Sequence, residues 1–323
     1  MIESLSFSFH KTTSMTTLLF FHPAFLEHDT GAGHPESPER LRAIMKALEA
    51  DSFVAIERRE APRANEEQLR LVHSESHVSQ VFSAIPNTGY VGLDMDTTVS
   101  PGSGEAALRA VGAVCAAVDA IMSGEGDNAF CAVRPPGHHA EPMRSMGFCL
   151  FNNIAVGALH ARAAHGLKKV AVIDFDVHHG NGTESVFRND ADLFYASTHQ
   201  SPHYPGTGAK KDRGVGNIFN EPLQAGDGGE AFRAAYDDVI LSALDAFVPN
   251  FVFISAGFDA HADDPLASLE LYEEDYAWVT SEIMNIASRH CSGRVVSALE
   301  GGYNLSALAG SVGVHIKALM GES

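Results

Sequence analysis

The chain has 323 residues, 45% of them hydrophobic, enough to bury one large core and, for a parallel-sheet protein, to form one domain. Lysine and arginine number 22 against 41 aspartates and glutamates, a formal charge of −19, so the surface repels nucleic acid and anionic membrane and tolerates cationic ligands. Cys115, Cys131, Cys149 and Cys291 form no CxxC pair, which excludes a disulfide framework or thiolate metal knuckle and makes a reducing cytoplasm the expected location.

Residues 1–14, rich in Ser and Thr and without helical period, are expected to be a disordered extension, with Met15 a possible start and residues 15–323 the folded domain. The apolar run Leu18 to Phe21 is too short to span a membrane. Strands are predicted over 17–22, 128–133, 169–174, 193–197, 250–255 and 294–299, each β-rich and bounded by turn or helix signals. A helix opens at Pro38, where proline loses no needed donor, with Ser37 as a plausible N-cap. Further helices are predicted over 103–122, 153–165, 229–247, 273–289 and 305–320. The alternation indicates an α/β fold, a central and mostly parallel β-sheet with helices on both faces. Loops rich in Gly, Pro, His and Asp follow the strands at 134–147, 175–183, 199–216, 256–268 and 300–304. In open α/β sheets ligands bind outside the carboxyl ends of the strands, so the active site is expected there.

Four of those loops carry chemistry. Asp174-Phe175-Asp176-Val177-His178-His179-Gly180-Asn181-Gly182 leaves a strand with Asp174, Asp176 and His178 on one face, the geometry of a metal site. Arg134-Pro135-Pro136-Gly137-His138-His139 presents two adjacent imidazoles suited to proton transfer near neutral pH. Ser255-Ala256-Gly257-Phe258-Asp259-Ala260-His261 offers Asp259 as a further carboxylate, with Asp263 and Asp264 read as loop caps. Glu300-Gly301-Gly302-Tyr303-Asn304 lets Tyr303 point into the same crevice. Metal-assisted acyl hydrolysis needs an ion to polarise the carbonyl, a histidine to take a proton from water and a donor for the oxyanion. Asp176, His178 and Asp259 would leave open positions for water and substrate, as a catalytic zinc requires. On donor chemistry alone iron(II) or manganese fits this carboxylate-rich set as well.

From about Leu18 to the last helix, these ordered motifs make the chain resemble the zinc-dependent deacetylases: histone deacetylases, acetylpolyamine amidohydrolases and acetoin-utilisation proteins, which share the arginase-deacetylase fold. The resemblance implies one zinc per chain on Asp176, His178 and Asp259. It makes His139 general base and then acid, His138 a protonated electrostatic partner, and Tyr303 the donor to the carbonyl oxygen. It also implies that Asp174 orients His138 and Asn181 orients His139. Asn181 departs from the aspartate of class I and resembles class II, as do the stretches His28 to Arg40 and Leu93 to Thr98. The acyl tunnel maps to Phe148, next to Gly147, and to Tyr204, a polar departure expected to widen or wet it.

Two potassium sites are implied as well, one at Asp174, Asp176, His178, Ser197 and Thr198, the other at Phe187, Asp190, Leu193 and Gly216. Polyamine-specific relatives carry a glutamate seven residues after the last zinc aspartate; here that residue is Leu266, which favours acyl-lysine over a polyamine. The expected partner is therefore an acylated amine, an acyl-lysine peptide or a small amide, with no direct nucleic-acid or membrane partner. A di-manganese ureohydrolase would need a fuller second ligand set than Asp259-x-His261 offers, and a non-catalytic binding module would not need Tyr303.

Overall fold

The structure, a computed structural model, describes residues 15–322, so the expectation for residues 1–14 lies outside them. In chain order the elements are β1 (Thr17–Phe21), α1 (Pro38–Ala47), β2 (Glu57–Glu60), α2 (Glu66–Leu69), α3 (Glu75–Ala84), β3 (Val91–Gly92), β4 (Thr98–Val99), α4 (Ser103–Ser123), β5 (Asn128–Cys131) and α5 (Asn153–His165). They continue with β6 (Val170–Asp174), α6 (Asn181–Phe187), β7 (Leu193–Gln200), β8 (Ile218–Leu223), α7 (Gly229–Ala235), α8 (Leu241–Phe247), β9 (Phe251–Ala256), α9 (Glu273–Cys291), β10 (Val295–Leu299) and α10 (Leu305–Leu319). A π turn, Tyr236–Ile240, joins α7 to α8, so residues 229–247 run as the one helical stretch expected.

Eight strands form one sheet in the order β2-β1-β5-β10-β9-β6-β7-β8. Every pairing within it is parallel. Val-Ala-Val-Ile-Asp in β6 and Val-Val-Ser-Ala-Leu in β10 are buried throughout, as strands covered on both faces must be. On one side α4 and α5 pack together and against the sheet; α1, α9 and α10 form a second layer. By length and composition α4 could cross a membrane, but its Ala106, Ala110, Val114 and Val118 are buried in the core.

The strands that the sequence does not announce are the edges. β2 is Glu-Arg-Arg-Glu, mostly exposed, and is placed by backbone pairing to β1 alone. A charged strand of this kind also guards the sheet edge against a further chain. β8 carries Pro222, which an edge strand tolerates because its missing donor faces away from the ladder. α6 begins at Asn181, inside the segment read as loop. Ser37 holds the extended backbone of an N-cap, but its side chain makes no capping bond, so the proline carries that helix start.

One buried ionic network ties the N-terminal segment to the sheet. Glu36 accepts from Arg40 Nη1 at 3.0 Å and from Arg134 Nη2 at 2.8 Å, and all three side chains are buried. Arg40 Nε in turn donates to Gly302 O at 2.6 Å and its Nη2 to Glu300 O, fixing the loop after β10. Burial alone would raise the Glu36 pKa; Arg134 and Arg40 outweigh it and hold it at about 2. With the folded pKa depressed, the stability Glu36 contributes is present above the usual carboxylate range and is lost as pH falls towards about 2. Removing one partner of a buried pair strands the others, so Glu36→Gln is expected to lower unfolding stability by about 3 kcal/mol in urea titration at neutral pH. A change within about 0.5 kcal/mol would show that the network is not what holds this segment.

Candidate active site

The four chemistry-bearing loops leave β5, β10, β9 and β6, which are consecutive neighbours at the centre of the sheet. Because all four strands run parallel, their carboxyl ends, and hence the loops, lie along one edge. The structure brings Asp176, His178 and Asp259 together, each offering one ligand atom within 4.8 Å of the others and all buried. His178 Nδ1 is 3.1 Å from Asp176 Oδ1 and 3.2 Å from Asp259 Oδ2. Asp259 Oδ2 is buried without a hydrogen-bond donor, while its Oδ1 accepts from Val177 N at 2.9 Å. Asp176 Oδ2 accepts from Gly301 N at 2.8 Å. A Cβ on Gly301 would lie 2.0 Å from Asp259 Oδ2, so only glycine lets this loop close over the carboxylates. Burial works against a charge on His178, yet Asp176 and Asp259 push its pKa up to about 10. The pocket thus calls for a positive charge, and two carboxylates and an imidazole with one oxygen unpaired fit a divalent ion.

Asp174 does not join this set. Its Oδ2 lies 3.0 Å from His138 Nδ1 and accepts from Tyr195 OH at 3.1 Å, so it faces the first histidine. The two histidines stack tilted with ring centroids 4.0 Å apart, but their environments differ. Around His138, burial is outweighed by Asp174, Asp176 and Glu300, and its pKa is raised well above the ordinary range. Around His139, burial and the charges of His138 and His178 lower the pKa well below it. His139 Nδ1 lies 2.8 Å from Asn181 Oδ1, a neutral partner. One imidazole is therefore held as a cation and the other as a neutral base.

His138, His139 and His178 line a cavity of about 220 Å³ together with Phe148, Tyr204, Leu266 and Tyr303. Gly147, at φ +58°, lies so close to His139 that a Cβ would meet its ring at 2.3 Å. Phe148 follows at φ 67°, a strained conformation for a bulky residue, which aims its ring at the cavity. Tyr204 sets its ring edge to His139 at 5.1 Å. Burial, then Asp259, raises the Tyr303 pKa well above the ordinary phenol range, so it remains a hydrogen-bond donor.

Several residues escaped the sequence reading. Glu300 is buried, accepts from Gly137 N at 2.6 Å and His138 N at 3.1 Å, and fixes the histidine loop. Asp264 accepts from Tyr303 N at 2.7 Å and Leu266 N at 3.0 Å, so the expected loop cap positions two cavity residues. Asp96, within the stretch Leu93 to Thr98, and His203, next to Tyr204, also line the cavity, though neither was given a role.

The implied potassium positions divide. Ser197 follows β6's partner register beside Asp174, and Thr198 Oγ1 is buried without a partner. The carbonyls of Phe187, Asp190 and Leu193 converge, at 2.9, 3.0 and 2.6 Å from Asn217 Nδ2, whose two N–H groups can answer two of the three. A second metal-capable group, Asp119, His160 and His165, is partly exposed, and both imidazoles already bond to Asp119 Oδ1, at 2.8 and 2.7 Å. Among the described residues no second group of three or more potential ligands adjoins Asp176, His178 and Asp259.

With this geometry in place, the comparisons are direct. The model of the histone deacetylase domain matches residues 34–319. A histone deacetylase-like amidohydrolase of Pseudomonas aeruginosa is 40% identical over 286 residues, covering 87% of this chain and 75% of that protein. A probable deacetylase of Archaeoglobus fulgidus is 36% identical over 94% of this chain and 89% of its own length. The crystal structure of the HDA15 HD domain superposes with a TM-score of 0.90 at 37% identity, covering 96% of this chain and 90% of that one.

Asp259→Ala is expected to abolish retention of the divalent ion, about one per chain in the parent, when the dialysed proteins are compared by elemental analysis. Undiminished metal content would remove Asp259 from the ligand set.

Proposed function

The chain belongs to the histone deacetylase family, and from that premise we propose that it hydrolyses an N-acyl amine, acetyl-lysine or a related acyl-lysine, with a single zinc ion. The observation that carries the reading is the buried, metal-capable group of Asp176, His178 and Asp259, whose His178 lines the same cavity as His138, His139 and Tyr303. Asp176, His178 and Asp259 would hold a zinc ion, which would polarise the amide carbonyl and acidify water. His139 Nε2 takes a proton from the attacking water and returns it to the departing amine, a return that a low-pKa imidazole makes readily. Tyr303 donates its hydroxyl proton in a hydrogen bond to the oxygen on which charge develops. The cationic His138, held by Asp174, stabilises the same charge without giving up its proton.

Substrate class follows from the wall. Phe148 and Leu266 offer an apolar sleeve to a methylene chain, and Leu266 stands where a polyamine gate would need a carboxylate. A small-amide substrate is the second reading, because Tyr204 brings a hydroxyl to the same wall and admits a more polar acyl amine.

Potassium is proposed for the first site only. Asp174 is fully buried, its pKa raised by that burial against the pull of His138, and a cation beside its oxygens would compensate the charge. At the other position the two N–H groups of Asn217 lie among the three carbonyls and answer two of them.

Tyr303→Phe is expected to lower kcat on an acetyl-lysine reporter on the order of 100-fold while metal content is retained; unchanged turnover would remove the oxyanion role. Acetyl-lysine peptides are expected to show the higher kcat/KM when set against acetylspermidine, and the opposite preference would overturn the argument from Leu266.

A further inference from the structure

An aspartate at position 181 would only accept hydrogen bonds, whereas Asn181 has one accepting end and one donating end. Which end meets His139 therefore decides where the imidazole carries its proton. With Oδ1 2.8 Å from His139 Nδ1, the proton sits on Nδ1 and Nε2 keeps the lone pair that the reaction needs. The reversed amide would put NH2 against Nδ1, move the proton to Nε2 and leave no base.

What selects the orientation lies on the far side of the amide. Asn181 Nδ2 is 2.9 Å from Glu141 Oε1 and 3.4 Å from Met146 Sδ, both acceptors. Reversal would set Asn181 Oδ1 against a carboxylate oxygen, two acceptors with no hydrogen between them. Glu141 is itself held by its main chain. Its N donates to Arg144 O at 2.9 Å, its O accepts from Arg144 N at 3.3 Å, and His73 Nδ1 lies 3.1 Å from the same carbonyl. The carboxylate follows the tandem histidines by two residues, so one short loop carries both the base and the group that orients it.

We propose that Glu141 is a positioning residue that fixes the direction of the Asn181 amide and, through it, the Nδ1-protonated tautomer of His139. The consequence for turnover rests on the hydrolase reading above; the tautomer does not. Glutamine at 141 keeps the shape but can accept or donate, so it removes the selection. Four proteins test this: the parent, Glu141→Gln, Asn181→Asp, and the double variant. In the parent background Glu141→Gln is expected to lower kcat about two- to tenfold with KM and metal content unchanged. In the Asn181→Asp background, where two carboxylates would otherwise meet, the same change is expected to raise kcat. A merely structural role would move both backgrounds the same way, and that result overturns the proposal. Long-range ¹⁵N correlation spectra of His139 read the tautomer without turnover: Nδ1-protonated in the parent, mixed in Glu141→Gln. An unchanged tautomer would overturn the proposal even if activity fell. A tautomer shift on Glu141→Gln, found with a parent that hydrolyses no acyl amine, would uphold it and sink the hydrolase reading instead.

Discussion

Four carboxylates, those of Asp174, Asp176, Asp259 and Glu300, are buried at the carboxyl ends of adjacent parallel strands, and the site is organised around holding that negative charge out of water. Backbone amides do part of the work, and they come from other loops. Gly301 N serves Asp176, Val177 N serves Asp259 and Gly137 N serves Glu300. Each loop is thereby latched to another, so the four segments hold one geometry together. His138, beside Asp174, meets part of the remaining charge, and Asp176, His178 and Asp259 could hold a metal ion that meets more of it.

The same electrostatics explains why two neighbouring histidines, identical in sequence, can take opposite parts. His138 points at Asp174, and the surrounding carboxylates keep its proton on; His139 points at a neutral amide, with His138 and His178 beside it, and its proton is driven off. A cationic and a neutral imidazole, 4.0 Å apart between ring centroids, are the pair that the proposed acyl hydrolysis would use. Asn181 is neutral, but through it the base still reaches a carboxylate, that of Glu141, one hydrogen bond further out.

Much of this was legible because the chemistry lies in short contiguous runs at strand ends. Asp176 and His178, His138 and His139, and Gly301 to Tyr303 are each local, and the strands before them are buried and mostly apolar. The parts that were not legible depend on contacts between distant segments. β2 has no apolar alternation and exists because β1 offers it a backbone edge; Glu300 looks like a turn residue until Gly137 is brought to it. Asp264 was readable as a cap, but not as a cap on the loop that carries Tyr303, some forty residues away. Period two groups Asp174 with Asp176 and His178, but β6 ends at Asp174, and the placement of His138 shows that Asp174 serves the histidine instead.

The central claim is that this edge of the sheet is a single-ion amidohydrolase site. Protein stripped by a chelator and then titrated with Zn²⁺ against an acetyl-lysine peptide, with free acetate quantified by NMR, tests it most directly. The account expects acetate release to be absent in the stripped protein and to rise in proportion to added zinc, saturating at about one equivalent per chain. Release that persists without metal, or that needs two equivalents, would contradict it.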